Sequence, residues 1–303
     1  MATLTHSPAV ITSLPDLLIF LSSITLFSTL YLDFEGKNLS RNGTLTILTV
    51  LVYPTQVISL IDIQTLGTSA FTTSSTNGKT LKAILEDPLT PKCIWDVRND
   101  ADALWAHHHV YLRGVIDVQL LENASRTGDK TYIRGLNICV EKDLKLKFME
   151  LHSWIKTKRD IQALMPNNIF AHRPLDAETI RYCSNDVVYL PALRETYIQR
   201  IDSQWIEKVM DESARRVVDA CSPSYESQSG TKKLGPWGSG LEKAELALEE
   251  WLDKVDRRRM DEMQKDYMMD GREDDTSGYE DCYHAGSYRD AVWDDTFDSC
   301  WEK

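Results

Sequence analysis

The 303-residue chain lacks any apolar run long enough to cross a membrane as a helix. Its longest uncharged apolar run, Leu17 to Leu32, is 16 residues, against the roughly 20 a span requires. No Lys or Arg occurs before Lys37, so the basic region that opens a secretory leader is missing and the protein is expected to be intracellular, not secreted and not in a membrane. The six cysteines form no CxxC pair and no zinc-ligand spacing, a pattern of free thiols in a reducing compartment. No internal repeat is visible. No basic cluster is dense enough for a nuclear signal, since Arg257-Arg258-Arg259 sits among acids, and nuclear and cytoplasmic placement both stay open. The body also lacks an excess of positive charge. Of the net charge of -12, Leu241 to Lys303 carries -11, with 20 Asp and Glu against 9 Lys and Arg. A near-neutral body can bind nucleic acid only through a local site.

What is present reads as an α/β domain. Ser13-Leu14-Pro15-Asp16 starts a helix, with Ser13 as N-cap and Pro15 in the first turn, and the chain then turns into a strand ending Leu30-Tyr31-Leu32-Asp33-Phe34-Glu35-Gly36. Thr44 to Tyr53 and Gln56 to Ile63 are rich in β-branched residues, which predicts an antiparallel meander of three strands. A helix over Thr76 to Glu86, a strand over Lys92 to Val97, a helix from about Asp100 to Val110 and a strand over Gly114 to Gln119 follow. Apolar spacing makes Gly135 to Met165 helical, with Lys142, Lys145, Lys147, Lys156, Lys158 and Arg159 on its polar side. That side is a solvated face or, if the site lies nearby, a phosphate track. Asp176 caps a long helix that Pro191 should kink, and Thr196 to Cys221 is helical again. The expected division is a domain over 1–221, a Ser-, Gly- and Pro-rich linker over 222–240, and a charged helix with an acidic, disordered tail over 241–303. Trp293, Phe297 and Trp301 in that tail offer a protein partner something to hold.

Asp33 and Glu35 stand two residues apart on an apolar strand, so both carboxylates point to one face. Burial raises the cost of keeping two like charges ionised, and a divalent metal between them is the simplest remedy. A strand end facing water is the alternative. Tyr182 and Asp186, four apart on a helix, also share a face. Asp100 and Asp102 fall in the first turn of another helix, where the macrodipole favours acids. His107, His108 and His109 form a run away from these positions and are expected to be exposed or satisfied locally.

In order and spacing, Asp33-Phe34-Glu35-Gly36, Asp102-Ala103-Leu104-Trp105 and Tyr182-Cys183-Ser184-Asn185-Asp186 resemble the three motifs of the DEDD superfamily of 3′-to-5′ exonucleases, in the tyrosine variant found in RNase D. Arg173-Pro174-Leu175 resembles the segment preceding the third motif, and the likeness covers about Ile11 to Tyr197. The resemblance implies an RNase H-like fold: a mixed sheet of an antiparallel meander plus parallel strands, flanked by helices. It further implies catalytic Asp33, Glu35, Asp102, Tyr182 and Asp186, the four acids holding two divalent ions, Mg²⁺ or Mn²⁺, and Tyr182 orienting the attacking water. Asp102 is preferred to Asp100 in the second motif because it directly precedes a two-residue apolar step and an aromatic. Gly36 is expected to let the chain leave without crowding an incoming 3′ end. The implied partner is nucleic acid with a free 3′ end, RNA before DNA, cut to nucleoside 5′-monophosphates. The alternative is an inactive scaffold on the same fold, which the full set of acids with the tyrosine disfavours.

Overall fold

A computed structural model of the chain describes residues 7–238 and 251–260. Ala9–Ile11 (β1) leads into Leu14–Ser23 (α1), where Ser13 Oγ accepts from the Asp16 amide at 3.4 Å. Thr29–Glu35 (β2), Ile47–Tyr53 (β3) and Val57–Asp62 (β4) form the expected antiparallel meander. Two one-turn helices, Ile63–Leu66 (α2) and Ser69–Thr72 (α3), precede Leu81–Glu86 (α4). The helix expected from Thr76 starts only at Leu81, because Asn77-Gly78 closes a turn in which the Ser75 amide donates to the Lys79 carbonyl at 2.8 Å, and Thr80 then caps.

Lys92–Ile94 (β5), Arg98–His108 (α5), Val115–Asp117 (β6) and Val118–Ser125 (α6) complete the α/β part. β5 is shorter than the apolar run suggests, since Asp96 takes a φ of 57° and turns the chain into α5. Leu136–Asp143 (α7) and Phe148–Gln162 (α8) divide the long helical stretch. Ala177–Val188 (α9) and Leu190–Ile198 (α10) meet at Tyr189, with Pro191 in the first turn of α10, where a missing amide hydrogen costs nothing. Ser203–Ala220 (α11) is capped by Asp202.

The sheet order is β1-β4-β3-β2-β5-β6, with β2, β5 and β6 parallel. β2 is central and buried on both faces, which its period of two divides cleanly. Leu30, Leu32 and Phe34 join the core with α1, α4 and α5. Tyr31 joins the opposite core with α9 and α10, so Asp33 and Glu35 point to the α9 side. The carboxyl ends of β2 and β5 lie together, Leu32 opposite Ile94, so α5 begins beside the two acids.

Residues 222–238, expected as a linker, pack along the domain. Leu234 pairs with Tyr132, the Gly235 amide donates to the Thr131 carbonyl at 2.7 Å, and Trp237 meets Trp205 edge-on at 5.4 Å. Gly235 and Gly238 serve close backbone approach: a Cβ on Gly238 would stand 2.3 Å from the Thr131 Cα. Of the expected charged helix, 251–260 is helical. The acidic tail with Trp293, Phe297 and Trp301 lies outside the described residues. Cys93, Cys139, Cys183 and Cys221 are free thiols. Among the described residues no helix is long and apolar enough to cross a membrane.

Candidate active site

Asp33, Glu35 and Asp186 come together. Each offers a carboxylate oxygen, the three oxygens lie within 4.8 Å of one another, and all three residues are buried. Register puts Asp33 opposite Thr49 and Glu35 opposite Ile47, and α9 crosses this face of the meander. Asp176 sets the start of α9, accepting from the Glu178 and Thr179 amides at 2.9 and 2.8 Å. Arg173, just before it, forks onto Asp62 at the end of β4 at 2.6 and 2.8 Å. Burial opposes ionisation of Asp62, yet the bonds from Arg173 and Thr65 hold its carboxyl below the usual range.

Tyr182 is fully buried one turn before Asp186. Burial first, and then the charges of Asp186, Glu35 and Asp33, push its phenol well above the ordinary value. The phenol therefore remains a neutral donor beside three carboxylates. Lys158 enters from α8: its Nζ lies 2.7 Å from Asp186 Oδ1 and 5.3 Å from the centre of the Tyr182 ring. Among the basic residues of that stretch, Lys158 turns to the cluster, while Lys156 pairs outward with Asp160. The helical period could not single it out, because only the docking of α8 against α9 decides which lysine points inward.

The structure does not bring Asp102 into the three-acid group. Arg41 takes both its oxygens, the backbone amide donating to Oδ2 at 2.8 Å and Nε to Oδ1 at 2.6 Å. The same guanidinium donates to the carbonyls of Ala220, the last residue of α11, and of Ser222 just beyond it, so Asp102 ties α5 to α11. Asp100, also buried, is two residues away and thus about 200° around the helix. Its charge reaches Lys232, whose ammonium burial draws down to about 8 while Asp96 pulls it back up, with a smaller upward pull from Asp100. Lys232 and Tyr225 both donate to Asn99 Oδ1, at 2.6 and 2.7 Å. Below them Asp117 accepts from the Asp96 and Val97 amides and from Arg216, fixing the corner from β5 into α5. Arg41, Asn99, Tyr225 and Lys232 carry no sequence signal, since each acts through a partner more than 60 residues away.

Gly36 has a reason within the fold itself. A Cβ there would stand 1.9 Å from the Thr44 carbonyl oxygen, so the returning loop requires glycine. Of the three histidines, His107 Nε2 lies 2.9 Å from the Ser40 carbonyl and His108 stacks on Phe71 at 4.4 Å. A second group, Glu122, Cys139 and Asp143, also gathers donor atoms. Arg126 and Arg134 pair with its Glu122, Arg200 with its Asp143, and burial keeps the Cys139 thiol protonated, so it resembles a structural ion-pair network.

The donor set of the first group suits a hard divalent cation, because Mg²⁺ and Mn²⁺ prefer carboxylate oxygen. Residues 9–200 match the family model described as 3′-5′ exonuclease. Among solved structures, Trypanosoma brucei RNase D is 18% identical with a TM-score of 0.62, over 78% of this chain and 80% of that one. The same enzyme in complex with RNA U12 gives 18% and 0.61, over 78% and 82%. Escherichia coli RNase D, an exoribonuclease involved in structured RNA processing, gives 18% and 0.52, over 72% and 51%. No curated protein matches by sequence. With the family spanning most of the α/β part and the fold shared with RNase D, the chain belongs to the DEDD 3′-5′ exonucleases, a family of hydrolases, with an RNase H-like fold of the RNase D type.

Proposed function

We propose that this chain is a divalent-metal-dependent 3′-to-5′ exonuclease acting on RNA and releasing nucleoside 5′-monophosphates. The observation that carries the reading is the convergence of Asp33, Glu35 and Asp186 within 4.8 Å. In this proposal those three acids, with Asp100 from the first turn of α5, hold two ions. Asp100 takes the place expected of Asp102, because Arg41 already engages both Asp102 oxygens. Bound Mg²⁺ or Mn²⁺ supplies an activated water and offsets charge on the departing oxygen.

The chain's own groups do the rest. Asp33 and Glu35, on one face of the central strand, would hold the ions together with Asp186. The neutral Tyr182 phenol donates to the attacking water and aligns it on the scissile phosphorus. The Lys158 ammonium, already beside Asp186, meets a non-bridging phosphate oxygen and draws charge from it. RNA is favoured by the likeness to RNase D, whose T. brucei form is seen with RNA U12.

The test uses 5′-labelled RNA and DNA strands of one sequence with Mn²⁺, with Mg²⁺ and with EDTA, and chromatography of the products. The expected result is stepwise shortening of RNA to 5′-monophosphates, abolished by EDTA and by Asp33→Ala. Equal behaviour of wild type and Asp33→Ala would sink the reading.

A further inference from the structure

Beside Glu35 runs a groove of about 600 Å³ whose chemistry is unlike a phosphate track. Its charged lining is Glu35 and Lys37 alone; the other polar groups are carboxamides and hydroxyls. Asn38 and Asn42 come from the turn after β2, Gln162 from the end of α8 and Asn168 from the turn that follows, while Ser227 and Gln228 come from the strap 222–238. Met165 and Pro166 add an apolar wall. The volume falls within the roughly 300–1,000 Å³ of small-ligand pockets. Neutral amides both donate and accept, so they suit sugar hydroxyls and base edges, whereas phosphates call for Arg and Lys.

The strap lies outside the residues 9–200 that the family model matches. It is also firmly held. Lys232 Nζ, buried, donates to Asn99 Oδ1 at 2.6 Å and to the Ser227 carbonyl at 3.1 Å. Tyr225 OH reaches the same Asn99, and the Ile133 amide donates to the Lys233 carbonyl at 3.0 Å. Ser227 and Gln228 are thus carried on backbone fixed to the start of α5, with the Gln228 side chain exposed toward the groove.

We propose that Ser227 and Gln228 are specificity-determining residues that read the 3′-terminal nucleotide as a ribonucleotide, hydrogen-bonding its 2′-hydroxyl while the apolar wall takes its base. The assignment rests on the exonuclease reading, which places a 3′ end beside Glu35. The 2′-hydroxyl is both donor and acceptor, and it distinguishes an RNA end from a DNA end. A side-chain amide next to a serine hydroxyl matches that pair of roles.

The test is equilibrium binding, by fluorescence anisotropy in EDTA, of two 5′-labelled RNA strands that differ only in the 2′-hydroxyl of the last nucleotide. Wild type should favour the ribo-terminated strand by about three- to tenfold, the worth of one or two hydrogen bonds. Ser227→Ala and Gln228→Met should bring that ratio toward one and leave affinity for the deoxy-terminated strand unchanged. Thermal melts of both variants should match wild type, since neither side chain is in the core. A wild-type ratio of one, no measurable binding, or variants that keep the wild-type ratio would overturn the assignment. Binding discrimination without any Mn²⁺-dependent shortening would instead overturn the nuclease reading and leave the strap's role standing.

Discussion

Arg41 and Asp102 form a two-point pair across 61 residues of sequence, with amide and guanidinium nitrogens 2.8 and 2.6 Å from the two carboxylate oxygens. The Asp102 side chain is fully buried and that of Arg41 only 23% exposed. Removing one partner of such a pair leaves a charge poorly solvated. Asp102→Ala should therefore cost about 3 kcal/mol of stability in urea denaturation. Asp100→Asn should leave the urea midpoint near wild type and lower kcat by at least about 100-fold, the scale of a lost metal-binding group. If Asp102→Asn, folded and stable, loses activity while Asp100→Asn keeps it, the assignment of the second acid reverses.

Lys158 offsets the charge of the carboxylate group through Asp186. Lys158→Met should lower the melting temperature of the metal-free protein and enlarge the rise that Mn²⁺ produces, because three acids then face one another without their ammonium. Ligand at 100 times its dissociation constant stabilises by about 2.7 kcal/mol, so the effect is readable in a thermal melt. An Mn²⁺ response identical to wild type would show that Lys158 does not act on the metal-binding acids.

Tyr182 gives a kinetic prediction. Burial and the neighbouring carboxylates hold its phenol protonated, so its ionisation should contribute no loss of rate up to pH 10. Tyr182→Phe should lower kcat by about 100-fold with the Mn²⁺-induced stabilisation intact. The ratio of wild-type to variant kcat should stay level between pH 7 and 10. A ratio that collapses as pH rises would mean that the phenol titrates in this range and the account of its environment fails.

His108 is held at about 4, by burial first and then by His107 and His109. Between pH 6.5 and 4 the unfolded chain takes up a proton that the folded one refuses, so stability is full above pH 6.5 and falls as pH drops toward 4. His108→Gln should shrink the difference in urea midpoint between pH 7 and pH 5. An unchanged difference would place the acid sensitivity elsewhere.

Local chemistry made much of this protein legible. Ser13 and Asp176 cap their helices as their sequence context requires, because a cap needs only residues three positions away. The alternation of β2 put Asp33 and Glu35 on one face, and the four-residue step from Tyr182 to Asp186 put both on one face of α9. Where a local rule misled, a competing local geometry intervened. The turn at Asn77-Gly78 shortened α4, and the positive φ of Asp96 ended β5 early.

The different surroundings of Asp100 and Asp102 needed the fold. Both are acids in one helical turn, and apolar spacing treats them alike. Only the return of Arg41 from the loop after β2, braced on the end of α11, assigns Asp102 a structural partner. The strap shows the same limit, since its Ser, Gly and Pro content reads as a linker while Lys232, Tyr225 and Trp237 dock it on groups far away in sequence.

Sequence alone thus determined the mixed α/β class, the face shared by Asp33 and Glu35, and the pairing of Tyr182 with Asp186, because each follows from periodicity within one element. Tertiary structure alone decided that Asp186 meets the β2 acids, that Lys158 is the inward lysine, and that Ser227 and Gln228 line the groove beside Glu35. Those outcomes depend on how elements pack across long loops, and burial there is set by neighbours that no local pattern encodes.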